Sequence, residues 1–167
     1  MTKNVIIIVG IVFILIINLI IFPMFGDRLL QVAPNAETIF DLSFYYTPEQ
    51  AYQKLISYGL EGRRLIPVFS LIDYAYIFIY VTTYYLLLQK LIARSGFPYS
   101  KFIFLPFIVG ALDLFENISY TVMLRAFPTP SPLIAQFTTV VTMTKWVLAG
   151  VIAILGIFLL IKIRRKR

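Results

Sequence analysis

The chain has 167 residues, 60% of them hydrophobic and only 14% charged, with a mean hydropathy of +0.87; this lies well outside the range of soluble globular domains. Cysteine and histidine are both absent, which excludes disulfides, thiol nucleophiles, haem or zinc held by histidine, and Ser-His catalysis. The net charge of +7 follows membrane topology and the attraction of a basic tail to anionic lipid heads, so nucleic acid is not expected as a partner.

The first apolar stretch, Val5 to Phe25, is longer than the roughly 7–15 residues of a signal-peptide core and precedes no small-x-small cleavage site, which predicts a retained transmembrane helix. A loop over 26–64 follows. Within it Thr47-Pro48-Glu49-Gln50 combines an N-cap residue, proline at the first helical position and a capping-box glutamine. An amphipathic helix is predicted over about 48–58, with Ala51, Tyr52, Leu55, Ile56 and Tyr58 on one face and Gly59 as its stop before Glu61-Gly62-Arg63-Arg64. It is expected to lie at the membrane interface or to cover the end of the bundle, with Arg63 and Arg64 binding outer-leaflet phosphates or acting as interfacial anchors.

Three more runs, over 65–89, 102–124 and 133–161, each reach the ~20 residues a bilayer core requires. The last two are joined by a rigid turn, Phe127-Pro128-Thr129-Pro130-Ser131-Pro132, and the chain closes on a basic tail over 162–167. The expected fold is therefore one all-α integral membrane domain spanning 1–167, a four-transmembrane-helix bundle with a short interfacial helix in the first outer loop. Lys3, Lys90, Arg94, Lys101 and the basic tail place nine basic residues and no acid on one side. The other side balances Arg28, Lys54, Arg63, Arg64 and Arg125 against Asp27, Glu37, Asp41, Glu49 and Glu61. By the positive-inside rule both termini are cytoplasmic, and a bacterial or archaeal plasma membrane is the expected location.

Asp73, Asp113, Glu116 and Lys145 lie inside these apolar runs, where charge is costly and usually functional. Counting from the nearest cytoplasmic basic residue at ~1.5 Å per helical residue puts Asp113 roughly 18 Å up, Glu116 and Asn18 roughly 22 Å, and Asp73 and Lys145 about 25 Å. All fall in the outer half of a ~30 Å hydrocarbon core. Asp113, Glu116, Asn117 and Tyr120 share one helical face, as do Asp73, Tyr76, Tyr80 and Tyr84 on the preceding helix. The last helix adds Thr138, Thr142 and Gln136 beside Lys145. Three carboxylates against one ammonium cannot sit in a dry packed core, so a cavity is expected in which a shared proton, water or a cation restores the balance.

Asp113 and Glu116 are the expected proton-transfer pair, with Lys145 as electrostatic partner and Asp73 as a further candidate acid. Asn117, Tyr120, Tyr76, Tyr80, Thr142 and Asn18 are expected to line the substrate space. No metal or cofactor is implied. Asp73 with Asp113 as a hydrolytic dyad, and Ser119 with Lys145 as a nucleophile pair, are subcases. The expected partners are membrane lipids, a lipid-like or amphiphilic small molecule, and a second copy or another membrane protein. The function classes that fit are a membrane-embedded enzyme or binder acting on a lipid-like substrate by carboxylate acid-base chemistry, a structural or assembly subunit, and a proton- or cation-coupled transport component. Four spans, cytoplasmic termini, a long first loop, intramembrane acids and a basic tail resemble the sterol isomerase and sigma-2 receptor superfamily and, more loosely, lipoprotein signal peptidase. The resemblance is one of architecture; neither family's sequence motifs occur, and no residue role is carried over.

Overall fold

The computed structural model describes residues 2–36 and 43–166. Glu37 and Asp41 of the loop and Arg167 of the tail, counted above in the charge balance, lie outside the described residues. Among the described residues there are only helices: α1 (Lys3–Ile16), α2 (Phe22–Val32), α3 (Pro48–Ser57), α4 (Gly59–Ser95), α5 (Leu105–Ala126) and α6 (Pro132–Arg164). A π-helical turn, Ile17–Ile21, joins α1 to α2, and a short 3-10 turn, Ser100–Phe104, leads into α5.

Four continuous helical stretches are long and apolar enough to cross a membrane: Lys3–Val32, Gly59–Ser95, Ser100–Ala126 and Pro132–Arg164. Large apolar side chains such as Leu133, Phe78 and Ile154 point outward, as expected where the surrounding medium is lipid. The chain is thus consistent with a multi-pass membrane protein.

Proline and glycine punctuate the helices for identifiable reasons. Pro23 carries no N–H, and its ring would collide with the carbonyl four residues back, at Leu19. The chain widens there by one residue, and the Phe22 N–H reaches back to the Ile17 carbonyl. Helix α2 ends where Ala33, held out of the helical region ahead of Pro34, adopts φ −140° and ψ 77°. Gly96, at φ +62°, closes α4 in the left-handed conformation that glycine adopts freely.

Helix α3 begins with the predicted capping box. The Gln50 N–H donates to Thr47 Oγ1 at 3.3 Å, and the Thr47 N–H donates to Gln50 Oε1 at 2.8 Å. Gly59 stops α3 at φ +59°, but α4 starts at once, so Glu61 to Arg64 form its first turns instead of a loop. Leucine, alanine and tyrosine from α3 pack with Leu29, Ile66, Phe69, Met123 and Ala135 in one apolar cluster. A second cluster, built on Ile14, Val81, Leu88, Leu91, Val109 and Leu159, fills the other end. The basic residues gather beside this second cluster: Lys3 donates to Gln89 Oε1 and Lys90 to Asn4 Oδ1, while Lys166 donates to the Ser95 carbonyl. Helix α5 packs against α4 and α6, and α1 packs against α4.

Candidate functional site

Between the two apolar clusters lies the layer of charged residues, assembled from three helices. Lys145 of α6 stands between two acids of α5, with Nζ 2.9 Å from Asp113 Oδ1 and 2.5 Å from Glu116 Oε2. Their side chains are only 7%, 8% and 1% exposed, respectively. One turn of helix separates Asp113 from Glu116, so a single ammonium can reach both, and α6 is tied to α5 at that height. Tyr80 of α4 donates to the other oxygen of Asp113 at 2.9 Å. Tyr120 and Thr142 donate to Glu116 Oε1 at 2.5 and 2.6 Å. Both acids therefore accept charge-assisted bonds from neighbouring helices, which fixes their rotamers.

Behind Glu116 the hydrogen bonds continue toward the loop end. The Tyr46 phenol, just ahead of α3, donates to Tyr120 Oη at 3.3 Å, and the Tyr46 N–H donates to Thr139 Oγ1 at 3.2 Å. Burial pushes the Tyr46 phenol up to about 12, so it remains a proton donor at any physiological pH. Asp73 is paired differently: Asn117 donates its amide to Asp73 Oδ2, which ties α4 to α5.

In front of Asp113 and Lys145 opens a cavity of about 490 Å³ between α4 and α6, to which α5 contributes Val109 and Asp113, the π-helical turn Asn18 and α2 Phe22. Its volume falls in the range of small-molecule sites, and a few polar groups in a mostly apolar wall are characteristic of such sites. The polar end carries Asp113, Lys145, Tyr80, Tyr76, Tyr84 and Asn18. Asn18 reaches it because the π-helical turn re-aims its side chain, whose amide donates to the Ile14 carbonyl and to Tyr76 Oη, both at 2.8 Å. Single π turns inside α-helices occur frequently at functional sites.

The predicted site residues thus divide into groups. Asp113, Lys145, Tyr80, Tyr76 and Asn18 meet at the cavity; Glu116, Tyr120 and Thr142 support them from behind; Asp73 and Asn117 form a separate link. Arg63 and Arg64 stand apart. Arg63 donates to the Leu55 carbonyl at 2.9 Å and lies 4.2 Å over the Phe127 ring, while Arg64 pairs with Glu61 at 2.7 Å on the surface. Ser119 donates to the Phe115 carbonyl at 2.8 Å, and Gln136 is exposed.

Sequence reasoning passed over Trp146, Tyr46 and the smooth side of α6. Trp146 borders the cavity next to Lys145, with the ammonium 5.6 Å from its ring centroid. A signal for the smooth side was present, because Ala149, Ala153 and Gly156 follow Lys145 at helical spacing. Tyr46 carried no such signal, since its role depends on how the loop folds back. Lys54 is also buried, with its ammonium donating to Ser43 Oγ.

Comparison with known proteins adds no further assignment: no family model matches the chain, and no curated protein or solved structure matches it significantly.

Proposed function

We propose that this protein binds a lipid-like molecule within the membrane and acts on it by carboxylate acid-base chemistry. The observation that carries this reading is that the Asp113–Lys145 pair forms the polar end of an otherwise apolar cavity of about 490 Å³. Asp113 is the group that meets the substrate. Glu116 shares Lys145 with it and holds the compensating charge, so a proton taken up or released at Asp113 changes the cluster by one charge and not from zero. Tyr80 orients the carboxylate through its second oxygen. Hydroxyls of Tyr76 and Tyr84 are placed to donate to a polar head.

Native mass spectrometry with lipid identification tests the reading. A specific amphiphile is expected to co-purify with the wild type, and Asp113→Asn is expected to change its occupancy without unfolding the protein. Bare protein in both samples, or bulk lipid alone in both, overturns it.

Proton-coupled transport is the second reading, and a particular observation favours it: a hydrogen-bonded and ion-paired path runs from Tyr46 through Tyr120, Glu116, Lys145 and Asp113 to Tyr80.

The proposed orientation puts both termini in the cytoplasm and α3 at the outer interface, on the strength of the basic residues clustered at one end. Because the chain has no cysteine, single-cysteine variants report topology directly. A membrane-impermeant maleimide applied to intact cells should label Tyr45→Cys and leave Arg165→Cys unlabelled; the reverse pattern would invert the orientation.

A further inference from the structure

Beyond the charged end the cavity continues as an apolar lane toward the basic end of the bundle. Leu87 and Leu91 of α4 form one wall and Ala149, Ala153, Gly156 and Leu160 of α6 the other. Lys145 and Leu160 are 15 residues apart on one helix, which makes the lane about 22 Å long at ~1.5 Å per residue. An apolar lane of that length suits the extended tail of an amphiphile.

The head end is selective by charge. Asp113 and Glu116 outnumber Lys145, so a phosphate or carboxylate head would add like charge to a site already rich in it. A hydroxyl suits the groups on offer. Tyr76 accepts from Asn18 and keeps its own proton to donate, Tyr84 offers a second phenol, and Asp113 accepts.

We infer that the site takes an amphiphile with an uncharged hydroxyl head, a long-chain alcohol in its simplest form, lying with the head at Asp113 and Lys145 and the tail along α6 toward the basic end. The inference rests on the binding reading above and adds head chemistry and direction to it.

The molecule carries its own reporter and its own test position. Trp146 is the single tryptophan and borders the cavity at the head end. A side chain added at Gly156 enters open space, with nothing within 4 Å of its Cβ, so Gly156→Leu blocks the tail lane without straining the helix. Gly150 also has open space around its Cβ but lies on another face of α6, outside the cavity; Gly150→Leu is therefore the control for added bulk.

The experiment is a titration of Trp146 fluorescence in lipid nanodiscs with n-alkanols from octanol to octadecanol, and with hexadecanoic acid. The expected result is saturable binding that strengthens with chain length in the wild type and weaker binding of the acid. Gly156→Leu should weaken hexadecanol by more than about tenfold, since it displaces several buried methylenes, while octanol is unaffected and Gly150→Leu changes neither. If Gly156→Leu leaves hexadecanol unchanged, or weakens both alcohols equally, the lane is wrong while binding at the site stands. Preference for the acid removes the hydroxyl head. A wild type with no saturable response to any probe removes the binding reading itself, and this inference with it.

Discussion

Lys145→Met is expected to destabilise the protein by roughly 3–5 kcal/mol, because it leaves Asp113 and Glu116 buried together without their cation. The measurement is reversible unfolding in mixed micelles. Single amide variants should behave very differently. Asp113→Asn leaves Lys145 paired with Glu116, and Glu116→Gln leaves it paired with Asp113, so each retains a balanced one-to-one ion pair and is expected to be as stable as the wild type or slightly more so. Both should lose whatever proton transfer the site performs. The triple variant carrying Lys145→Met, Asp113→Asn and Glu116→Gln removes every charge of the cluster at once and should recover most of the lost stability, since a neutral buried set carries no unpaired ion. Wild-type stability in Lys145→Met would mean that water reaches the two acids freely, and the cluster could not then be a desolvated proton-transfer site.

The second large effect is expected at Gly10. A Cβ there would lie 2.0 Å from Thr83 Oγ1 and 3.1 Å from both Thr83 Cβ and Cγ2. Thr83 is buried and committed, its hydroxyl donating to the Ile79 carbonyl at 2.7 Å, so it has no room to yield. Gly10→Val must push α1 away from α4, with an expected loss of about 1–3 kcal/mol from overpacking. The displacement also moves Asn18 off Tyr76 and opens the cavity wall, so the co-purifying amphiphile should be lost as well. Gly26→Ala is the matching control, because nothing lies within 4 Å of a Cβ at that position. Gly10→Ala meets the same Thr83 hydroxyl and should show both losses to a smaller degree, and adding Thr83→Ala to it should restore both stability and ligand. If Gly10→Val keeps full stability and full occupancy, the α1–α4 contact does not shape the site.

Much of the architecture was legible because the bilayer imposes one-dimensional rules on sequence. An apolar run of sufficient length must become a helix, since no other single segment satisfies its own backbone in hydrocarbon. The capping box at Thr47 and Gln50 likewise works through neighbours within four residues, so it reads the same in the sequence as in the fold. The shared face of Asp113, Glu116 and Tyr120 follows from helical periodicity alone.

What sequence could not decide was which polar residues meet which. Asp73, Asp113 and Glu116 appear equivalent as intramembrane acids, yet Asp113 faces the cavity, Glu116 lies behind it, and Asp73 binds Asn117. The rotation of each helix about its own axis makes that distinction, and the rotation is set by packing between helices. Close approach of α1 to α4 at Gly10 and of α5 to α4 at Gly110, where an added Cβ would lie 2.5 Å from Val81 Cγ2, is among those contacts. The lane along α6 has the same origin. Its small residues are visible in the chain, but they form a lane only because α4 stands opposite them at the distance that packing dictates. The apolar length and the charges inside it belong to the sequence; the division of those charges between a cavity wall and a buried support belongs to the tertiary structure, because helix rotation and separation are fixed by contacts between residues far apart in the chain.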